Sequence, residues 1–146
     1  MREILFRGKH SEKSMWDYGD LYMDHGRTYI ASRDMMHGVR VHGEVIPETV
    51  GQYTGLTDKN GTKIFEGDIV DWTFFYNRIG PNGGCIETDI QLRGVIKWSN
   101  GGFVFEVWRN DFEDAGWYGI SDLNFDPSSD IEVIGNIYDN PDLAEQ

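Results

Sequence analysis

Residues 51–72, GQYTGLTDKNGTKIFEGDIVDW, constrain the fold of this chain more than any other stretch. Two short β-like arms flank the tetrad DKNG at 58–61. Asp, Asn and Gly all favour turn geometry, and the pair Asn60-Gly61 tolerates positive φ angles. The stretch therefore predicts a β-hairpin with its turn at this pair.

A glycine corner follows the hairpin. Gly67 and Asp68 lie between the second arm and a new β-like run, IVDW at 69–72. Small barrels use glycine where a strand bends into the closing sheet, so Gly67 is expected to occupy a corner that rejects side chains. Asp68 is expected to accept hydrogen bonds from turn amides. Asn60, Gly61, Gly67 and Asp68 are thus interpreted as structural turn residues.

Later segments repeat the β pattern. RGVIKW and GFVFEVW, at 93–98 and 102–108, flank the turn SNGG, and IEVIGNIYD at 131–139 reads as a last strand. The composition, with 20 aromatic residues and 18 glycines, also favours strands over helices. We predict a mainly β protein with a small SH3-like antiparallel barrel over 51–146. A smaller β-containing N-terminal region is expected over 1–50.

The segment 73–92 is longer than an ordinary connection between strands. It contains the turn signal GPNGG and reads as a long exposed loop or a protruding β-arm. Leaving its apolar side chains in water costs about 25 cal/mol per Å². We therefore expect the arm to pack on a neighbouring subunit or another protein through Phe74, Phe75, Tyr76 and Ile79.

Charge is distributed unevenly along the chain. The net charge is −12, and residues 51–146 carry 6 Lys or Arg against 17 Asp or Glu. After Arg109 there are ten carboxylates and no basic side chain. Such a surface repels phosphate, so we expect no bulk nucleic-acid binding. A local basic site near the N-terminus stays possible at Arg2, Arg7, Lys9 and Lys13.

The sequence shows no membrane or export signal. No apolar run approaches the roughly 18 residues that span a bilayer, and the N-terminus lacks a signal-peptide h-region. Cys85 is the only cysteine, which excludes an intrachain disulfide. A cytoplasmic location and no membrane partner are expected.

Candidate metal and thiol sites are weak. His37 and His42, with Asp34 or Glu44 as a third ligand, match no zinc spacing and are expected to be ordinary surface residues. Cys85 has acidic neighbours, which raise a thiol pKa and so disfavour a nucleophile.

Paired carboxylates and glycine-rich loops offer no better candidate. Glu66 with Asp68 lies at the expected corner, and the acidic cluster at 111–114 reads as a solvated loop. GPNGG lacks the Lys-Ser/Thr of a phosphate-binding loop. The sequence therefore predicts no enzyme, no cofactor and no metal.

Four segments, in order, resemble the YopX family of bacteriophage and prophage proteins: REILFRG, QYTGLTDKNGTKIFEGDIV, GVIKWSNGGF and IEVIGNIYDNPDL. The resemblance extends over about 2–143. It implies an SH3-like barrel behind a smaller N-terminal region, and it implies no catalytic or binding residues. The chain is longer than the simplest members around 10–27 and 73–92, where a site specific to this member is expected.

Two functions remain open at this point. In the first, a phage or prophage accessory protein binds another protein or its own copies, as a homo-oligomer in the bacterial cytoplasm. In the second, a nucleic-acid-directed regulator binds through a local basic strip or mimics DNA with its acidic face. Stacking on Trp72, Phe74, Tyr76 or Trp98 would serve the second function, although such platforms usually lie in a positive groove.

Overall fold

The computed structural model describes residues 1–34, 36, 38–110, 117–119 and 130–144, and strands dominate them. The first five are β1 (Phe6–Lys9), β2 (Trp16–Asp24), β3 (Arg27–Asp34), β4 (Gly38–Glu44) and β5 (Gly51–Thr57). The others are β6 (Lys63–Phe65), β7 (Asp68–Ile79), β8 (Cys85–Ser99), β9 (Gly102–Asn110), β10 (Trp117–Gly119) and β11 (Asp130–Asn136). Two short 3-10 helices span Pro47–Thr49 and Pro141–Ala144. The prediction of a mainly β chain is confirmed.

These strands form two antiparallel sheets, with the orders β4-β3-β2-β1-β5-β6 and β10-β9-β8-β7-β11. The chain divides into two compact units, Met1–Gly55 and Leu56–Gln146. The division falls inside β5, at a glycine with a φ of 91°. None of the helices in the described ranges is long and apolar enough to cross a bilayer.

In the first unit, β1 to β4 form an antiparallel meander and β5 pairs with β1. In its register Arg7 lies opposite Tyr18, and Tyr22 lies opposite Tyr29. Val45 is buried against Gly8, where a β-carbon would stand 2.8 Å from a Val45 methyl group. The buried apolar side chains of this unit are Ile30, Ala31, Val45 and Tyr53.

The second unit contains the larger core. Trp72 and Phe105 pack edge to face, with ring centroids 6.1 Å apart. Burying each such side chain contributes roughly 1.5–3 kcal/mol. The core residues around them are Ile64, Val70, Ile90, Leu92, Ile96, Val107 and Ile131.

Over the residues that the structure describes, the expected barrel is not closed. The described strands of the second sheet leave β10 and β11 at opposite edges, with no pairing between them. Gly67 does not bend one continuous strand into a closing sheet, because it separates the three-residue β6 from β7. Its N–H donates to the Ile96 carbonyl at 2.8 Å, and its carbonyl accepts from the Ile137 N–H at 3.0 Å. These two hydrogen bonds fix the corner, but they do not join the edge strands of the sheet. The prediction of an SH3-like barrel is thus wrong in one respect, because the described strands do not close into a barrel.

Asp58 organises the turn between β5 and β6. Its Oδ1 accepts from the backbone N–H groups of Asn60 and Thr62, both at 2.9 Å, and its Oδ2 accepts from Val133 at 3.1 Å. Gly61, with a φ of 80°, completes the turn. Burial works to raise the pKa of Asp58, but the three N–H groups outweigh burial and hold that pKa below its ordinary value.

Candidate protein-interaction site

Within the described residues, strands β7 and β8 continue beyond the other strands of their sheet. β11 accompanies β7 only as far as Thr73, and β9 accompanies β8 only from Leu92 onward. Between these points the two strands pair with each other alone among the described residues, from Phe74 opposite Ile90 to Ile79 opposite Cys85. We call residues 74–90 the ribbon.

A compact turn closes the ribbon at 80–84. Gly80 N–H donates to the Gly84 carbonyl at 2.7 Å, and Gly83 N–H donates to the Gly80 carbonyl at 3.0 Å. Gly83 has a φ of 78°, which the sequence GPNGG accommodates without strain. The sequence predicts either a loop or a β-arm for the segment 73–92, and the structure has two paired strands there.

The predicted interaction residues divide along the ribbon. Residues two apart on a strand share a face, so Phe75, Asn77 and Ile79 point to one side. Phe75 is 40% exposed and Ile79 is 81% exposed. Phe74 and Tyr76 lie opposite Ile90 and Thr88, and the side chains of both lie outside the described part of the structure. The structure thus brings Phe75 and Ile79 together as exposed apolar groups.

Across the ribbon, β8 has a different surface. Glu87 and Asp89 lie opposite Asn77 and Phe75 and are both exposed. Ile86, on the other side of the ribbon, is 38% exposed. The two strands of the ribbon therefore differ in charge, with carboxylates on β8 only over these residues.

A polar groove of about 240 Å³ lies at the base of the ribbon. Thr73 and Gln91, which are cross-strand neighbours, lie between two sets of charged side chains. The groove is lined by Lys59, Asp71, Thr73, Gln91, Leu92, Arg93, Asp130 and Glu132.

Both cations of the groove are held by carboxylates. Lys59 Nζ lies 3.0 Å from Asp130 and 3.0 Å from Glu132. The hydrogen bonds that Lys59 donates to Glu132 and to Asp130 raise the pKa of Lys59, and the hydrogen bond that Arg93 donates to Asp71 raises the pKa of Arg93. Because each cation already has an anionic partner, the groove is poorly suited to phosphate.

Residues at other candidate sites have structural roles. His42 Nε2 lies 2.8 Å from Ser32 Oγ. Asp68 is buried and its Oδ2 accepts from the Phe65 N–H at 2.7 Å. Across the described residues, no three His, Cys, Asp or Glu side chains are arranged to hold a metal ion. His37 and the acidic cluster at 111–114 lie outside those residues.

Two residues proposed for nucleic-acid contact, Trp72 and Arg7, are buried. Trp72 is buried in the core, so its ring is not available for stacking on a base. Arg7 is only 6% exposed, and its guanidinium lies 4.8 Å from the centre of the Trp16 ring. Trp98 remains half-exposed beside Phe103.

Sequence reasoning missed the groove. Its ion pairs join residues as far apart as Lys59 and Asp130, which no local pattern connects. The Asp71–Arg93 ion pair could have been predicted from the sequence, because these opposite charges face each other once β7 and β8 are aligned by their turn.

Comparisons with known proteins bear on the whole chain. The model of the family described as YopX protein matches residues 5–145. A crystal structure of protein EF1440 from Enterococcus faecalis has a similar fold, with a TM-score of 0.50 and 20% sequence identity over 99% of each chain. No curated protein matches the chain.

Proposed function

We propose that this chain, which belongs to the YopX family, is a non-enzymatic accessory protein of a bacteriophage or prophage. It acts in the bacterial cytoplasm by binding another protein or its own copies. The observation that carries the proposal is the ribbon, which leaves apolar side chains exposed on two strands that, among the described residues, pair only with each other.

An isolated two-stranded ribbon is marginally stable in water, because it lacks a third strand and a buried face. Here, among the described residues, six cross-strand residue pairs of β7 and β8 lie beyond the parts of these strands that pair with β11 and β9. Phe75, Ile79 and Ile86 keep much of their apolar surface in water. A protein that covered them would gain about 25 cal/mol for each Å² removed from water.

The charged residues support a binding protein better than an enzyme. Asp58, Lys59 and Arg93 have shifted pKa values, and each is engaged in a turn or an ion pair. Cys85 is exposed at the end of the ribbon, with Glu87 as a close neighbour on the same strand.

Affinity capture from induced host cells tests the proposal. The bait variants are Phe75→Asp/Ile79→Asp on the ribbon and, as a matched control, Val39→Asp/Val41→Asp on β4, where both valines are also exposed. We expect the ribbon variant to lose the proteins that wild type retains and the control to keep them. Unchanged capture by a folded ribbon variant would overturn the proposal.

A nucleic-acid-directed regulator is the second candidate. Tyr18 and Tyr22 favour it, because both rings are about half exposed on one face of β2 and are suited to stacking on bases. Fluorescence titration with a single-stranded oligonucleotide tests it. Quenching that Tyr18→Ala/Tyr22→Ala removes would support this function, and the absence of quenching would exclude it.

A further inference from the structure

We infer that the ribbon binds a second copy of this chain, through antiparallel pairing of the two β7 strands about a two-fold axis at Asn77. This inference rests on the proposed role of the ribbon as the binding site. Among the described residues, no strand pairs with the outer edge of β7 over 74–79. A strand edge of this kind is a template for pairing with a second chain.

Symmetry limits the possible registers. A two-fold axis perpendicular to the ribbon keeps each side chain on its own face, so residues that oppose each other must share a face. Only registers centred on a single residue meet this condition, because side chains alternate between faces along a strand. Within the part of β7 that belongs to the ribbon, the candidate centres are Tyr76, Asn77 and Arg78.

The register centred on Asn77 matches the exposed side chains. It places Phe75 opposite Ile79 of the second copy, and it does so twice because of the symmetry. Apolar cross-strand pairs stabilise antiparallel sheets, and these are the two exposed apolar residues of that face. At the centre, each Asn77 amide faces its counterpart, and an amide can both donate and accept a hydrogen bond.

The neighbouring registers are less favourable. A centre at Arg78 places two guanidinium groups directly opposite each other, and like charges in that position are destabilising. A centre at Tyr76 places Asn77 opposite Phe75, which leaves an amide against an aromatic ring. Neither register covers the exposed apolar surface as fully.

The β8 edge is protected from the same kind of pairing. A symmetric pairing centred on Thr88 would place Glu87 opposite Asp89 of the second copy, again twice. Both carboxylates are exposed and have no cationic partner in the described part of the chain. Charge on an edge strand is a common means of blocking association, so β8 is expected to stop further growth. The pairing therefore closes as a dimer.

Sedimentation equilibrium of three proteins tests the inference. Wild type is expected to be a dimer. Asn77→Asp places two carboxylates at the axis and is expected to raise the dissociation constant at least about tenfold. Thr88→Asp adds the same charge to the opposite strand, away from the axis, and is expected to have little effect. If Thr88→Asp dissociates the dimer and Asn77→Asp does not, the β7 register is wrong.

Disulfide formation gives a position-specific check that does not depend on a destabilising variant. In a Cys85→Ser background, Asn77→Cys is expected to form a covalent dimer on oxidation, since facing strand residues lie within disulfide reach. Thr88→Cys in the same background should remain monomeric on a non-reducing gel. A crosslink at position 88 in place of 77 would overturn the inference.

Different results would overturn the ribbon as the binding site and the second copy as its partner. A wild-type monomer whose ribbon still captures host proteins would overturn the second copy as the partner and would leave the binding role of the ribbon intact. A dimer whose stability is unaffected by both Asn77→Asp and Phe75→Asp/Ile79→Asp would exclude the ribbon as the contact.

Discussion

Arg93 donates two hydrogen bonds to Asp71, its direct neighbour across β7 and β8. The Nε–Oδ1 distance is 2.7 Å and the Nη2–Oδ2 distance is 2.9 Å. The pair lies where the sheet ends and the ribbon begins, so it fixes the alignment of the two strands that form the arm.

Removing this pair should loosen the base of the ribbon. The Asp71 side chain is 37% exposed, so solvent screening reduces the effect, and we expect Asp71→Asn to cost about 1 kcal/mol of unfolding free energy. Urea denaturation measures this change. Glu87→Gln removes an exposed carboxylate that has no ion pair with any described residue, so this control should shift the midpoint little. Equal midpoints for both variants would show that the Asp71–Arg93 pair contributes nothing.

Asp58 should make stability depend on acid pH. Its pKa in the folded state lies below the ordinary value of 3.8, so its contribution is complete above about pH 4 and is lost as the pH falls through the folded pKa. We expect Asp58→Asn to cost about 1–3 kcal/mol near pH 7, since one amide oxygen replaces two acceptors.

The pH profile distinguishes this explanation from a simple loss of packing. The difference in unfolding free energy between wild type and Asp58→Asn should narrow below about pH 4. A difference that stays constant down to pH values of about 2 would contradict a role for the carboxylate charge.

Gly67 should not tolerate a side chain. Its φ of 88° lies in the left-handed region, where a β-branched residue is strained. We expect Gly67→Val to destabilise the protein by about 1–3 kcal/mol. The matched control is Gly102→Val, because Gly102 has no positive φ and a β-carbon there meets nothing within 4 Å. Similar melting temperatures for the two variants would refute the argument.

Duplex DNA should not bind appreciably at about 0.15 M salt. Nonspecific binding needs cations that neutralise phosphates, and Lys59, Arg93 and Lys97 each form an ion pair with a carboxylate. A gel-shift titration with random duplex at several salt concentrations measures this. Micromolar binding that weakens steeply with salt would contradict the expectation.

The local features of the fold were predictable because they depend on short-range chemistry. The tetrad DKNG needs only its own residues to favour a turn, and GPNGG closes the ribbon in the same way. The alternating segments at 93–98 and 102–108 likewise fall in β8 and β9, which pair across the turn at Asn100-Gly101.

Long-range features were not predictable from these patterns. Asp58 appeared in the sequence as one member of a turn, yet one of its oxygens binds Val133 in the last strand. The barrel prediction depends on a series of strands with short turns, and these local patterns do not determine which strands form the edges of a sheet. The four apolar residues of the arm were treated as one group because strand alignment is needed to separate their faces.

The contacts of Asp58 and Lys59 also bear on the order of events during synthesis. The β5–β6 turn depends on Val133 and Ile131, which the ribosome adds roughly 70 residues later. Until β11 emerges, an oxygen of Asp58 and the N–H of Lys59 must remain bound to water. The second unit therefore cannot fold segment by segment as it is made, and its folding should await the emergence of β11 from the ribosome.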